Sequence, residues 1–141
     1  MSTRKTRILL LVLATLAATA AGCRPNDKAF VKGRITLAGE PLDNVLVMFV
    51  PAAGPSSGGT TDADGAYVLT SGPKLGKQVF TGRCKVSVGE IADDPTKPPP
   101  PPRFDPRYLS AESSGLDCDL KTGPNTVDFD LDPNPAAGKA K

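Results

Sequence analysis

The chain has 141 residues, a length that favours one domain, and 39% of them are hydrophobic, with no Trp, two Tyr and five Phe. Fifteen Pro and 14 Gly indicate short strands joined by many turns rather than a helical globule. The sequence contains no His, which excludes Ser-His-Asp and Cys-His catalysis and three-His zinc sites. It has no basic patch interleaved with aromatic residues, so nucleic-acid binding is not expected.

The first 22 residues have the pattern of a secretory signal peptide. Three basic side chains lie within residues 4–7, and the apolar stretch that opens at 8–14 is shorter than the roughly 20 residues that span a bilayer. Small residues at 20–22 then lead directly to Cys23. This junction resembles the lipobox of bacterial lipoproteins, in which cleavage occurs just before a lipid-carrying cysteine, although Ala stands here where Leu is usual.

We therefore expect residues 1–22 to be removed and Cys23 to carry fatty acyl chains such as palmitate, at the start of a short tether, residues 23–29. Each buried CH₂ contributes about 0.8 kcal/mol, so two or more chains anchor a protein stably at a membrane. The alternative is an ordinary signal peptide with an unmodified Cys23. Cleavage removes three of the 17 basic residues and none of the 15 acidic ones, which changes the side-chain charge from +2 to −1.

Alternation of polar and apolar residues predicts six or seven short strands and no helix in the mature chain. The continuous apolar run 45–50 contains β-branched residues and ends at Pro51, which favours a buried central strand. The clearest predicted strands are 30–37, 45–50, 66–70, 84–88, 116–120 and 127–131. Because strands that are apolar on one face bury it against a second sheet, we expect an antiparallel β-sandwich over residues 30–132.

The connections between these strands carry turn and breaker residues. Residues 61–65 and 123–125 are predicted as tight turns, and 133–141 as a disordered tail. A Pro-rich loop covers residues 91–106 and contains five consecutive prolines at 98–102. Such a run takes the polyproline II conformation and spans about 15 Å. It is either a ligand for a Pro-recognising groove or a solvated loop insertion.

A succession of short motifs runs through the predicted sandwich. They are Val31-x-Gly33-x-Ile35-Thr36, Gly39-Glu40-Pro41-Leu42, Val45-x-Val47-x-Phe49-x-Pro51, Thr61-Asp62-Ala63-Asp64-Gly65-Ala66-Tyr67 and Asn125-Thr126-Val127-x-Phe129-x-Leu131. This succession resembles the carboxypeptidase regulatory-like domains, and small lipoproteins of this type from planctomycete-like bacteria. The resemblance implies a seven-stranded transthyretin-like (prealbumin-like) sandwich with an accessory or binding role. It transfers no catalytic residue, because these domains are not peptidases.

One pair of carboxylates is a weak candidate for a metal site. Asp62 and Asp64, followed by Gly65, echo the opening of a calcium loop, in which carboxylates two residues apart supply oxygen ligands. Residues 66–69 have the pattern of a strand rather than of further ligands. This favours a β-turn in which the Asp side chains accept hydrogen bonds from local backbone N–H groups. We therefore expect no metal and no other cofactor.

Two cysteines lie on the apolar faces of their predicted strands, Cys84 in the fourth and Cys118 in the fifth. Outside the cytoplasm, two inward cysteines in a small domain predict a disulfide. The ring it closes would contribute about 3–4 kcal/mol to stability in the chain-entropy model. The alternative is two separate buried thiols that act as small hydrophobic side chains.

Five aspartates occupy the polar faces of the last two predicted strands: Asp117, Asp119, Asp128, Asp130 and Asp132. One hypothesis is an acidic patch that binds cations. The other, which the alternation favours, is a solvated outer face whose charges discourage pairing between sheet edges. Neither hypothesis assigns these side chains a role in catalysis.

Together these patterns predict a non-enzymatic envelope lipoprotein. It would be anchored through the lipid on Cys23 to a membrane that faces the periplasm or the cell surface, and its β-sandwich would bind or assemble with an unknown envelope protein or glycan. The alternative is a periplasmic carbohydrate- or small-molecule-binding module, although sugar sites usually need aromatic platforms and the chain has no Trp. An enzyme based on a carboxylate pair has no supporting motif, and no catalytic residue is predicted.

Overall fold

The computed structural model of the protein describes residues 28–72 and 76–136. The predicted signal peptide, Cys23 and most of the tether lie outside these residues, as does the end of the predicted tail. The expectations for those segments therefore stay predictions. Across both described ranges, no helix is long and apolar enough to cross a membrane.

Within the described residues the protein has ten strands, one short 3-10 helix and no α-helix. In chain order they are β1 (Lys28–Leu37), β2 (Glu40–Pro41), β3 (Val45–Pro51), β4 (Ser57–Thr60), β5 (Ala66–Val68), β6 (Val79–Phe80), β7 (Gly82–Glu90), the 3-10 helix (Pro106–Leu109), β8 (Leu116–Leu120), β9 (Gly123–Thr126) and β10 (Phe129–Leu131). The all-β class predicted from the sequence is confirmed.

The first sheet is organised by β1, the longest strand, whose residues alternate between the core and the surface. Ala29, Val31 and Ile35 are buried on its inward face, whereas Phe30 and Lys32 point outward. The strands β2, β5 and β6 pair with β1 in antiparallel orientation. The strands β9 and β10 pair with it in parallel orientation. One central strand therefore connects early and late parts of the chain.

The second sheet has the order β4-β3-β7-β8 and is antiparallel throughout. The apolar run at 45–50 lies in β3, where Val45, Val47 and Phe49 are buried. Because β3 lies between β4 and β7, it is a central strand, as its composition indicates. The strand β8 pairs with β7 alone, so it forms an edge of this sheet.

The inward faces of the two sheets meet in one hydrophobic core. Phe49 of the second sheet contacts two rings of the first sheet. Its centroid lies 6.2 Å from that of Tyr67 and 6.4 Å from that of Phe129, with both ring pairs tilted. Full burial of a Phe side chain contributes about 1.5–3 kcal/mol, so this aromatic cluster is a main stabilising contact between the sheets. The result is a two-sheet sandwich.

The strand directions and one turn differ from the prediction. Because β9 and β10 run parallel to β1, the sandwich is mostly rather than entirely antiparallel. Residues 123–125 were predicted as a turn, but they belong to β9. Pro124 is tolerated in this strand because β9 pairs on one side only, so the N–H that proline lacks is not needed for a second ladder.

The sandwich also extends beyond the predicted boundaries of 30 and 132. The first strand begins at Lys28. At the other end, the backbone N–H of Asn134 donates to the carbonyl of Arg103 at 3.0 Å, and its side-chain amide donates to the carbonyl of Pro102 at 2.9 Å. The start of the predicted disordered tail, 133–141, is therefore fixed against the Pro-rich loop, because its polar groups find backbone partners there.

The Pro-rich loop is exposed at its proline run and buried where it ends. Residues 98–101 are exposed, whereas Phe104 is fully buried and packs edge-on against Tyr108, with 6.4 Å between ring centroids. Asp105 accepts a hydrogen bond from the N–H of Arg107 at 2.9 Å and so caps the 3-10 helix. The loop thus ends in a well-packed anchor.

Arg103 fixes the same end of the loop from outside. Its backbone N–H and its Nε both donate to Glu90 Oε1, at 2.9 and 3.0 Å, and its Nη1 donates to Asp43 Oδ1 at 3.0 Å. The side-chain bonds to Glu90 and then to Asp43 raise the pKa of Arg103, and the hydrogen bond from Arg103 lowers the pKa of Asp43. Arg103 therefore joins the loop to the end of β7 and to the turn before β3.

Candidate functional site

The outer face of the first sheet carries a groove of about 930 Å³, built mainly by β1, β5, β9 and β10. Polar and charged side chains are prominent in its lining: Lys32, Arg34, Thr36, Thr60, Asp62, Thr126, Asp128 and Asp130. Alternate residues of a strand point to the same side, so β1 alone places Lys32, Arg34 and Thr36 in one row. The sheet therefore displays a polar row that faces away from the core.

The floor of this groove depends on a close approach of two backbones at Gly33. A Cβ at this position would overlap the carbonyl oxygen of Val127, which lies between β9 and β10. The N–H of Val127 donates to the carbonyl of Lys32 at 2.9 Å, and the hydroxyl of Tyr67 donates to the Val127 carbonyl at 2.6 Å. Glycine is required here because only a hydrogen side chain leaves room for that carbonyl.

Tyr67 of β5 links β5, on one side of β1, to Val127, on the other side. It is paired with Gly33 in the sheet register and is buried in the core, and its hydroxyl lies beside the Val127 carbonyl that occupies the space next to the glycine. Burial is the main cause that raises the pKa of its hydroxyl. The hydroxyl therefore stays protonated and remains a hydrogen-bond donor to the Val127 carbonyl across the physiological pH range.

Two aspartates hold the parallel strands to β1 with their side chains. Asp128 Oδ1 accepts the backbone N–H of Arg34 at 2.7 Å. Asp128 lies in the gap between β9 and β10, where the regular pairing with β1 is interrupted. Asp130 Oδ1 accepts the hydroxyl of Thr36 at 2.6 Å and the N–H of Gly39 at 2.9 Å. The Thr36 bond is the larger of two causes that lower the pKa of Asp130. Both carboxylates are thus fixed along the groove.

Four side chains of the groove have charged atoms that can bind a ligand. Within residues 28–72 and 76–136, Lys32 and Arg34 form no ion pair, and the Oδ2 atoms of Asp128 and Asp130 accept no hydrogen bond. Charge-assisted hydrogen bonds are stronger than neutral ones. The arrangement therefore suits the binding of a polar ligand that carries both an anionic group and a hydrogen-bond donor.

The two cations of the groove were not among the predicted site residues. The alternation of residues 30–37 contained the relevant signal, because it placed Lys32, Arg34 and Thr36 on one face. It did not show that Asp128 and Asp130 lie beside them. That neighbourhood follows from parallel pairing between β1 and β10, in which Thr36 is opposite Asp130.

Asp62 and Asp64, the weak metal candidate, lie in the turn between β4 and β5. Asp62 Oδ1 accepts the N–H groups of Asp64 and Ala66, both at 2.9 Å, and Gly65 adopts a φ of +72°. No group of three or more His, Cys, Asp or Glu side chains suited to a metal occurs in the described part of the chain. The carboxylate of Asp62 therefore accepts hydrogen bonds from backbone N–H groups of a β-turn, as the turn interpretation predicts.

Replacement of Asp62 by Ala is expected to lower the free energy of unfolding by about 1–2 kcal/mol, because two backbone N–H groups lose their acceptor. The matched variant Asp64→Ala is expected to change it by less than about 0.5 kcal/mol. Urea unfolding followed by circular dichroism measures both. Equal losses in the two variants, or a rise in melting temperature of the wild-type chain with calcium, would contradict the turn interpretation.

Cys84 and Cys118 are opposite each other on β7 and β8. Cys84 is buried, and the partly buried Cys118 packs against the same core. The predicted disulfide is not present in the structure, in which both residues are free thiols. This reduced form corresponds to the alternative of two packed thiols. The Sγ of Cys84 donates to the carbonyl of Gly82 at 3.6 Å, and the interaction of the two neighbouring thiols lowers the pKa of Cys84 and raises that of Cys118.

The five aspartates of the last strands do not form one patch. Asp117 and Asp119 lie on β8 in the second sheet, whereas Asp128 and Asp130 lie along the first sheet and Asp132 follows β10. The structure therefore separates them onto two sheets, because the chain crosses between the sheets after β8. A shared cation site is not formed, and Asp117 and Asp119 are exposed, as the solvated-face hypothesis predicts.

Comparison with protein-family models, with curated proteins and with solved structures finds no match for this chain. The fold defines it as a mostly antiparallel, all-β sandwich of two sheets, and the groove on the first sheet is its candidate site. The likeness to carboxypeptidase regulatory-like domains rests on the sequence motifs. The finer assignment to that family is therefore a proposal.

Proposed function

We propose that the protein is a lipid-anchored lipoprotein of the bacterial envelope, whose transthyretin-like sandwich of the carboxypeptidase regulatory-like type binds a polar envelope component without catalysis. The sequence of residues 1–23 supports the anchor at a membrane facing the periplasm or the cell surface. One observation supports the binding role, namely the groove on the first sheet. Within the described residues Lys32 and Arg34 form no ion pair there, and Asp128 and Asp130 each keep one oxygen without a hydrogen bond.

The chemistry of the groove favours a peptide segment of an envelope protein as its ligand. Lys32 and Arg34 offer donors to a carboxylate, and the free oxygens of Asp128 and Asp130 accept from an amine, a guanidinium or a hydroxyl. A peptide carries both kinds of group at short spacing. Threonine hydroxyls in the same lining add neutral hydrogen-bonding groups that can contact a peptide backbone.

A carbohydrate ligand is the second candidate, and one exposed ring favours it. Phe30 is 48% exposed and points outward from β1, on the same face as Lys32. An aromatic ring gives a sugar face a platform to stack on. Selective binding on a glycan array that is lost in Phe30→Ala but kept in Lys32→Ala would favour this candidate over a peptide.

The anchor is tested on the native protein purified from its own membranes. We expect intact-mass measurement to show a chain that begins at Cys23 and carries the added mass of at least two acyl chains. The variant Cys23→Ala is expected to lose the lipid and to leave the membrane fraction. A native chain that begins at another residue, or that carries no acyl mass, would overturn the lipoprotein proposal.

The groove is tested by photo-crosslinking of the full-length protein in its own envelope. A photoreactive amino acid at Val68, which lines the groove, is expected to give one discrete adduct. The same group at Leu46, exposed on the opposite sheet, serves as the control and is expected to give none. The double variant Lys32→Ala, Arg34→Ala should remove the Val68 adduct. Equal crosslinking from both positions, or none from Val68, would refute a binding role for this groove.

A further inference from the structure

The paired cysteines lie where a disulfide can close without rearrangement of the strands. Cys84 and Cys118 are directly opposite in the antiparallel register of β7 and β8. Opposite residues in such a pair have Cα atoms about 4.5–5.5 Å apart, within the roughly 4.4–6.8 Å that disulfides span. Both side chains are on the inward face of the same sheet, so the two Cβ atoms point the same way.

We propose that Cys84 and Cys118 form a thiol oxidation site, and that an external disulfide, carried by an envelope oxidoreductase or by glutathione disulfide, converts them into an intramolecular bridge. One protein thiolate first attacks the external disulfide, which forms a mixed disulfide and releases one external thiolate. The second protein sulfur then displaces the other external thiolate. The two protein thiols lose two electrons and two protons, and the external disulfide gains both as two thiols.

Oxidation at this position has a structural consequence because β8 is an edge strand. It is held to the second sheet by β7 alone, and after Leu120 the chain crosses to the first sheet as β9. The bridge would close a ring that contains the Pro-rich loop and the 3-10 helix. It would therefore fasten the point at which the chain leaves one sheet for the other. When this happens in the cell depends on the proposed export, whereas the reaction itself does not.

Access to the thiols is provided from the edge of the sheet. Cys118 is only partly buried, and its neighbours Asp117 and Asp119 are exposed. Because β8 has one partner strand, local opening exposes its residues more readily than those of a central strand. An external disulfide can thus reach Cys118 without unfolding of the core residues that surround Cys84.

The test uses the full-length chain with Cys23→Ser, so that two thiols remain and lipidation plays no part. After exposure to mixtures of glutathione and glutathione disulfide, we expect both thiols to disappear together in a monomer that is two hydrogen atoms lighter. Adding Cys84→Ser or Cys118→Ser should stop the reaction at a mixed disulfide with glutathione. Two stable glutathione adducts on one chain, persistent free thiols, or disulfide-linked dimers would each refute the proposal.

Hydrogen exchange distinguishes a fastening role from mere proximity. In the oxidised chain we expect the backbone amides of residues 116–120 to exchange up to about a hundredfold more slowly than in the reduced chain, since the bridge prevents β8 from separating locally from β7. Amides of β5, which pairs with β1 in the first sheet, serve as the internal reference. Formation of the bridge without slower exchange in β8 would overturn the structural consequence while leaving the lipoprotein proposal untouched.

Discussion

Replacement of Gly33 by Ala is expected to lower the free energy of unfolding by at least about 3 kcal/mol, a large part of the roughly 5–15 kcal/mol that holds a small domain folded. The added Cβ would occupy the position of the Val127 carbonyl oxygen, which is backbone and cannot rotate away. Relief of the overlap requires that β1 separate from the junction of β9 and β10. That movement would break the hydrogen bond from Tyr67 to Val127.

Gly89→Ala is the matched control for this prediction. Gly89 also lies in a strand, β7, but no atom lies within 4 Å of the position that its Cβ would take. We expect the control to change stability by less than about 0.5 kcal/mol. Guanidinium unfolding followed by circular dichroism in the far ultraviolet measures both variants. Similar stabilities for the two would show that the close approach at Gly33 is not needed for the fold.

Truncation of Phe104 is the second large effect that we expect. Phe104→Ala should cost about 3–5 kcal/mol, because the ring is fully buried and its removal leaves a cavity beside Tyr108. Phe30→Ala is the control of identical chemistry, and its loss should stay below about 1 kcal/mol since Phe30 is 48% exposed. Thermal and guanidinium unfolding compare the two variants.

Hydrogen exchange locates the damage that Phe104→Ala causes. We expect exchange at Asp105 and Tyr108, whose N–H groups donate to the carbonyls of Asp132 and Asp105, to become faster than in β3, whose amides follow only the loss of global stability. A variant as stable as Phe30→Ala would mean that the end of the Pro-rich loop does not belong to the cooperative fold. Uniformly faster exchange throughout the sandwich would instead indicate global destabilisation.

The local features of this fold could be predicted because they depend on neighbouring residues. The apolar run 45–50 indicated β3, and the alternation of 84–88 and 116–120 placed Cys84 and Cys118 on inward faces. Period-two alternation records which side of a strand is buried whatever that strand pairs with. The class of fold and much of the core therefore followed from the sequence.

The long-range pairings could not be read in the same way. Val127 approaches Gly33 across 94 positions of sequence, and nothing near either residue specifies the other. Residues 123–125 contain Gly and Pro, which favour a turn locally, but pairing with β1 overrides that preference. The clamp of Arg103 on Asp43 and Glu90 likewise joins three separate segments.

The candidate groove was missed for the same reason. Its cations lie on β1, and its carboxylates, Asp128 and Asp130, lie between β9 and β10 and on β10, which join β1 from the far end of the sequence. The sequence predicted a strand over residues 30–37, and the structure shows that Lys32 and Arg34 point outward from it beside Asp128 and Asp130. A charged residue on an outward face is common, and only the assembled sheet distinguishes this row from an ordinary solvated surface.

The central position of β1 also constrains the order in which this protein can fold. The strand emerges early during synthesis, yet two of its five partner strands, β9 and β10, are the last strands to be made. Contacts between such distant segments form slowly, because a long loop must close first. The first sheet cannot be completed until residue 131 has left the ribosome, so the nascent chain remains incompletely folded while it is made.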